Sequence, residues 1–158
     1  MKTASIKEIN SELHSRNPQE LLELCLRLSK YKKENKEFLS YMLFESADEA
    51  GYIEGIKTEI NDQFENINRK SAYFFKKSIR KILTYTKRNI RYSQNKQTEI
   101  DLLIYFCEKL KKVSPSIKRH NAVFNLYNRQ VDEIIKKVSL LHEDLQFDYG
   151  TKLNELKF

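Results

Sequence analysis

Every apolar pattern longer than six residues in this chain repeats with a period near 3.6, and none alternates with a period of two. A half-buried strand needs that alternation, so the pattern admits helices and leaves no material for a sheet. Composition agrees: three Gly, two Pro and no Trp in 158 residues leave few places to turn, and 40% hydrophobic with 32% charged residues suits long amphipathic segments. The expected fold is all-α, with six or seven helices in a bundle or a short irregular helical array. A single all-helical domain over 1–158 is expected, long enough to bury a core without metals or disulfides. Cys25 and Cys107 both lie in apolar-periodic segments, with no Cys or His at metal spacing, and are expected to be two buried small hydrophobes.

Ile6, Ile9 and Leu13 mark a first short helix. Asn17, Pro18 and Glu20 then supply an N-cap, a proline at the first helical position and an acid at N3, which opens a second helix. Its buried face is expected to run Leu21, Leu24, Cys25, Leu28, Tyr31 and to resume at Phe38, Leu39, Met42, Leu43; over 18–45 one bent helix and two helices are both compatible with the pattern. From Ala47 to Asn68 the residues Ile53, Ile56, Ile60, Phe64 and Ile67 keep helical period. Ala47, Gly51 and Gly55 recur there every fourth position, either as a ridge for close helix approach or because Gly51 breaks the helix start. The basic segment carries Phe75, Ile79, Ile82, Leu83, Thr86 and Ile90. A following helix is expected to open at Thr98 with Asp101 at N3 and to close at Ser114 and Pro115. Phe124, Tyr127, Val131, Ile134, Val138, Leu141 and Leu145 form a last seam at alternating three and four residues. Leu28, Ile79, Ile104, Ile134 and Val138 are expected to share one core.

One stretch points outward. Between Asn66 and Thr98 there are ten Lys or Arg and no Asp or Glu, in a protein whose total charge is +7, so the remainder is net acidic. Such polarisation favours a polyanion or an acidic partner surface. With Ile79 at zero on a helical wheel, the apolar stripe stays within about 60°, and the cations fan across the far side. The candidate polyanion- or partner-binding set, around residues 69–96, is Arg69, Lys77, Arg80, Lys81, Tyr85, Lys87, Arg88, Arg91 and Tyr92. Phe74, Tyr85 and Tyr92 share a flank, placing rings able to stack on bases beside groups able to neutralise phosphates. Against that, Glu45 to Glu65 hold seven acids and one Lys. Packed antiparallel, Glu59 and Asp62 would lie near Lys76 and Lys77, making the basic run an internal charge complement, which is the favoured expectation of the two.

Residue patterns that carry catalysis are not found. His14, His120 and His142 are scattered, none preceded by an acid at the spacing of a bundle di-metal site, so no metal site is expected. No phosphate-cradling glycine loop, nucleophile elbow or Cys–His pairing by spacing is present, and neither a catalytic residue nor a cofactor is assigned. Without an apolar leader core or a run of 18 apolar residues, neither a signal peptide nor a membrane span is expected, which makes the cytoplasm the expected compartment.

The phrases KEFLSYMLFE (Lys36 to Glu45), KKSIRKILTYTKRN (Lys76 to Asn89) and EIDLLIYFCEKL (Glu99 to Leu110), behind a Leu-rich N-terminal segment, resemble a family of small uncharacterised bacterial all-helical proteins. In that family a KEFL-like helix precedes a basic helix and a helical C-terminal half. The resemblance implies a bacterial all-helical protein and transfers no activity or site residue. The expected function is non-catalytic: a helical interaction or scaffold module binding a protein partner or a second copy of itself. The alternative is a nucleic-acid-binding protein that uses the basic helix face.

Overall fold

The computed structural model of the chain describes residues 2–113 and 117–158. Among these it holds eight α-helices and no strand, one or two helices more than the periodicity suggests. The chain divides into two compact units, Met1–Phe44 and Glu45–Phe158.

The first unit contains α1 (Ile6–His14), α2 (Pro18–Tyr31) and α3 (Lys33–Ser40). Reciprocal capping boxes start α1 and α2, Ser5 with Glu8 and Asn17 with Glu20, and Pro18 occupies the first position of α2. The Glu8 carboxylate, accepting from the Ser5 backbone N–H and from its hydroxyl, sits below the usual carboxylate range. Lys32 adopts extended backbone (φ −141°, ψ 149°), which ends α2 and makes two helices of the segment that follows Pro18. The Asn35 side-chain amide donates to the Leu28 carbonyl at 2.9 Å across that break, and α3 packs on α2. A π-helical turn, Tyr41–Glu45, follows.

No residue of α1, α2 or α3 is buried. Leu28, expected in the core, is 60% exposed, and Cys25 is exposed where a buried thiol was expected. The reason is size: three helices in a segment this short cannot surround their own apolar seams, and chains near 40 residues ordinarily need an external staple or a partner.

The second unit contains α4 (Glu49–Glu65), α5 (Ala72–Ser93), α6 (Lys96–Lys111), a 3₁₀ turn (Ile117–Arg119), α7 (Asn121–Val138) and α8 (Glu143–Leu156). Helix α6 is its axis, packing against α4, α5, α7 and α8. Apolar side chains leave it in almost every direction, and Ile100, Leu102, Leu103, Ile104, Phe106, Cys107 and Leu110 are all buried, as suits a helix enclosed on all sides. Ile79 and Ile134 meet this core fully buried from α5 and α7, and Val138 is buried as well. Truncating one such side chain to Ala costs about 2–5 kcal/mol.

Polar anchors fix the ends. Asn95 caps α6, accepting from the N–H groups of Gln97 and Thr98, so the helix opens three residues before the Thr98 start expected from sequence. Thr98 is buried instead, its hydroxyl donating to Glu49 at 2.6 Å, and Ser93 donates to the same carboxylate. One acid at the start of α4 thus gathers the end of α5 and the start of α6. Tyr52 donates from α4 to the backbone and side-chain oxygens of Asn89 in α5, both at 3.1 Å. The Tyr127 hydroxyl reaches the Leu156 carbonyl and ties α8 to α7.

Two expectations change here. The seam from Phe124 to Leu145 does not continue as one helix: α7 ends at Val138, a turn intervenes, and His142 caps α8 by accepting from the Asp144 N–H. An extra helix arises because a turn at the right phase preserves the three-four spacing while redirecting the chain. Nor do the small residues of α4 form a ridge. A methyl at Gly55 would meet open space, whereas one at Gly51 would crowd the Asp48 carboxylate that caps the helix through the Gly51 N–H. The closing pair Ser114 and Pro115 lies outside the described residues.

Candidate functional site

Helix α5 begins with Ser71 accepting from the Phe74 N–H and ends with Gln94 in the left-handed conformation (φ 55°). Its buried face is Phe75, Ile79, Ile82, Thr86, Asn89 and Ile90, so the opposite face is fixed in solvent by packing and not by its own charges. Tyr73, Lys77, Arg80, Thr84, Arg88 and Arg91 recur there every third or fourth residue, a stripe that from Lys77 to Arg91 runs about 21 Å at 1.5 Å per residue.

The nine expected residues separate into two groups. Arg69, Lys77, Arg80, Lys81 and Arg91 are exposed and make no ion pair among the described residues; Lys70 and Lys96 share that condition and extend the patch at either end. Lys87 is different: half-buried, it donates to Glu133 of α7 at 2.7 Å, in a chain of charges that continues from Glu133 to Lys137 and from Lys137 to Glu99 at 2.9 Å. It is part of the packing between helices. Arg88, Tyr85 and Tyr92 are half-buried, and the Arg88 guanidinium lies 5.8 Å from the centre of the Tyr85 ring. The rings that stand open are Tyr73, 67% exposed, and Phe74, in an edge-to-face pair with centroids 5.4 Å apart. Tyr73 was missed because its wheel position lies within the cationic fan.

Among the described residues the charge complement expected of Lys76 and Lys77 with Glu59 and Asp62 does not form. Although the helices pack together, Lys76 and Lys77 meet neither Glu59 nor Asp62. Glu59 accepts from Gln63 one turn along its own helix at 2.9 Å, Asp62 is exposed, and Glu54 takes Lys57 at 2.7 Å. Both helices turn apolar stripes toward the shared core, which points their charged faces away from each other. At one end of the patch Arg69 shares a shallow cleft of about 290 Å³ with Lys109 and Lys112, facing Glu65.

A second surface lies in the first unit and was hidden from sequence. A groove of about 530 Å³ between α1 and α2 is floored by Ile9, Leu13 and Leu24 and rimmed by charges that include Glu12, Glu23 and Arg27. A second, of about 280 Å³ between α2 and α3, is lined by Cys25, Leu28, Phe38 and Met42 among others. Between them runs Leu21, Leu24, Leu28, Tyr31, a seam of three-four-three spacing whose outer residues Leu28 and Tyr31 are 60% and 77% exposed.

Burial shifts three titratable groups of the second unit. Burial first, with Glu108 and Glu133 adding to it, pushes the Cys107 thiol up to about 12, the state of an inert structural cysteine. Tyr127 and Tyr149 are likewise held above their usual range by burial, Tyr149 also by Asp101, to which it donates at 3.1 Å. Among the described residues no helix is long and apolar enough to cross a membrane. Comparison of the chain with protein-family models, with curated proteins and with solved structures finds no match.

Proposed function

We propose that this chain is a non-catalytic helical interaction module of the cytoplasm, of the bacterial type its phrases resemble, whose first unit docks a protein. The observation that carries the proposal is that α1, α2 and α3 bury no residue although half of the α2 sequence is apolar. Open apolar seams of this extent on a soluble surface mark interaction sites. A photo-reactive phenylalanine analogue at Leu28 is expected to capture protein in the cell, whereas one at the exposed Asn128 of α7 is not. Absence of any protein adduct at Leu28 contradicts the proposal.

Lys77, Arg80 and Arg91 of α5, exposed and without an ion pair among the described residues, favour a second activity of the same module, sequence-independent binding of nucleic acid through the second unit. Phosphate neutralisation by Lys77, Arg80 and Arg91 releases counterions, so affinity for random DNA or RNA falls steeply with salt. Tyr73 and Phe74 supply the rings for unpaired bases. Fluorescence anisotropy at low and moderate salt tests this: no binding at low salt removes the second activity and leaves the first untouched.

A further inference from the structure

We infer that the open seam of α2 binds the same seam of a second copy of this chain, antiparallel about a two-fold axis near the middle of the helix. This rests on the docking function proposed for the first unit and names its partner.

Area is the first argument. A two-fold interface of ordinary size buries about 800 Å² per partner; Leu24, Leu28 and Tyr31 of the seam, with Ile9, Leu13, Phe38 and Met42 of the flanking grooves, leave on the order of 700 Å² of apolar side chain open. That approaches the area such a dimer needs without recruiting the second unit. Shape is the second. Leu21, Leu24, Leu28 and Tyr31 have the spacing by which two helices interlock knobs into holes, and the apolar grooves on either side of the seam leave room for a ridge of similar form.

Charge selects the occupant and its direction. Residues 4–23 hold four acids against two bases, whereas residues 24–44 hold five bases against two acids. The first unit is therefore acidic where it starts and basic where it ends. A parallel pair would set like halves together. An antiparallel pair opposes Glu20 and Glu23 to Lys30 and Lys32 of the second copy, and the two-fold axis makes each contact twice. A surface complementary to itself in this sense needs no other protein to explain it. Cys25, exposed, then lies beside the axis in both copies, while Cys107 is buried and out of reach.

The test is sedimentation of the full chain from a few to about 200 µM, beside cross-linking with a short bismaleimide. The expected result is a reversible dimer that cross-links through Cys25 and loses the cross-link in Cys25→Ser. Leu24→Asp with Leu28→Asp should leave only monomer, with the melting of the second unit unchanged. Glu23→Lys and Lys30→Glu should each weaken the dimer roughly tenfold, as attractive exposed pairs become repulsive ones, and an equimolar mixture of the two should recover it. That recovery requires the antiparallel arrangement. Wild-type chain that stays monomeric at 200 µM, a dimer indifferent to the Leu24 and Leu28 changes, or a mixture no tighter than its components overturns the inference. If the chain is monomeric but the probe at Leu28 still captures another protein, only the identity of the partner fails; if both fail, so does the docking function.

Discussion

Helices α2 and α6 are written in nearly the same ink. Seven of the 14 residues of α2 and eight of the 16 of α6 are apolar, counting Tyr and Cys. Yet α6 buries eight residues and α2 none. What differs is the company: α6 has four helices around it, while α2 has α3 along one side and the open α1 groove on another. Apolar content fixes how much surface a helix must hide, and neighbours decide whether it is hidden within the chain or by a partner.

The largest effect expected from this contrast is on stability. Ile134→Ala or Ile79→Ala, at fully buried sites, should destabilise the second unit by about 2–5 kcal/mol, while Leu28→Ala, in dilute protein, should change stability by less than about 0.5 kcal/mol. Denaturant melts of the three variants check this, and a large loss at Leu28 would mean that α2 is covered within the chain.

Next comes the charge on α5. Reversal at Lys77, Arg80 and Arg91 should abolish binding to random nucleic acid and leave the melting temperature near wild type, since none of the three pairs within the described fold. Lys87→Glu should do the opposite, lowering stability by about 1 kcal/mol through its partly exposed pair with Glu133 and affecting binding less. Anisotropy and melting on the same preparations separate the two roles.

A smaller effect is pH-dependent and confined to the second unit. The Cys107 thiol, ordinarily ionising near 9.0, is pushed up to about 12 by burial, so the unfolded chain loses this proton before the folded one. The associated stability is whole below pH 9 and is lost as the pH rises from there toward 12. Tyr127 and Tyr149, raised in the same sense, add to the loss at the alkaline end. Replacing Cys107 by Ala should flatten the first part of that decline in a melt series across alkaline pH. The smallest effect is chemical: at neutral pH one thiol per native chain, Cys25, should react with a thiol reagent, and the second only on unfolding.

How much of this was legible depends on which forces write into sequence. Local ones do. The capping box at Asn17 to Glu20 and the helical periods of α5 and α6 follow from backbone groups and nearby side chains, and the structure places them as expected. Turn phase does not, so the change of direction after Val138 hid α8 inside an unbroken seam. Coverage does not either. Cys25 and Cys107 sit in equally apolar surroundings in sequence, and nothing local to either says that only one meets a core. The basic face was visible as composition, but its division between Lys87, spent on Glu133, and Lys77, Arg80 and Arg91, which make no ion pair among the described residues, depends on where α7 passes.

Hydrogen exchange of the full chain, followed by mass spectrometry across a concentration series, tests the central claim most directly. The account predicts that in dilute protein the amides of α2 exchange at least a hundredfold faster than those of α6, because local opening of a helix that buries no side chain forfeits little. It also predicts that protection in α2 rises with concentration as its seam is covered, while α6 does not change. Protection of α2 equal to that of α6 at every concentration would contradict the account.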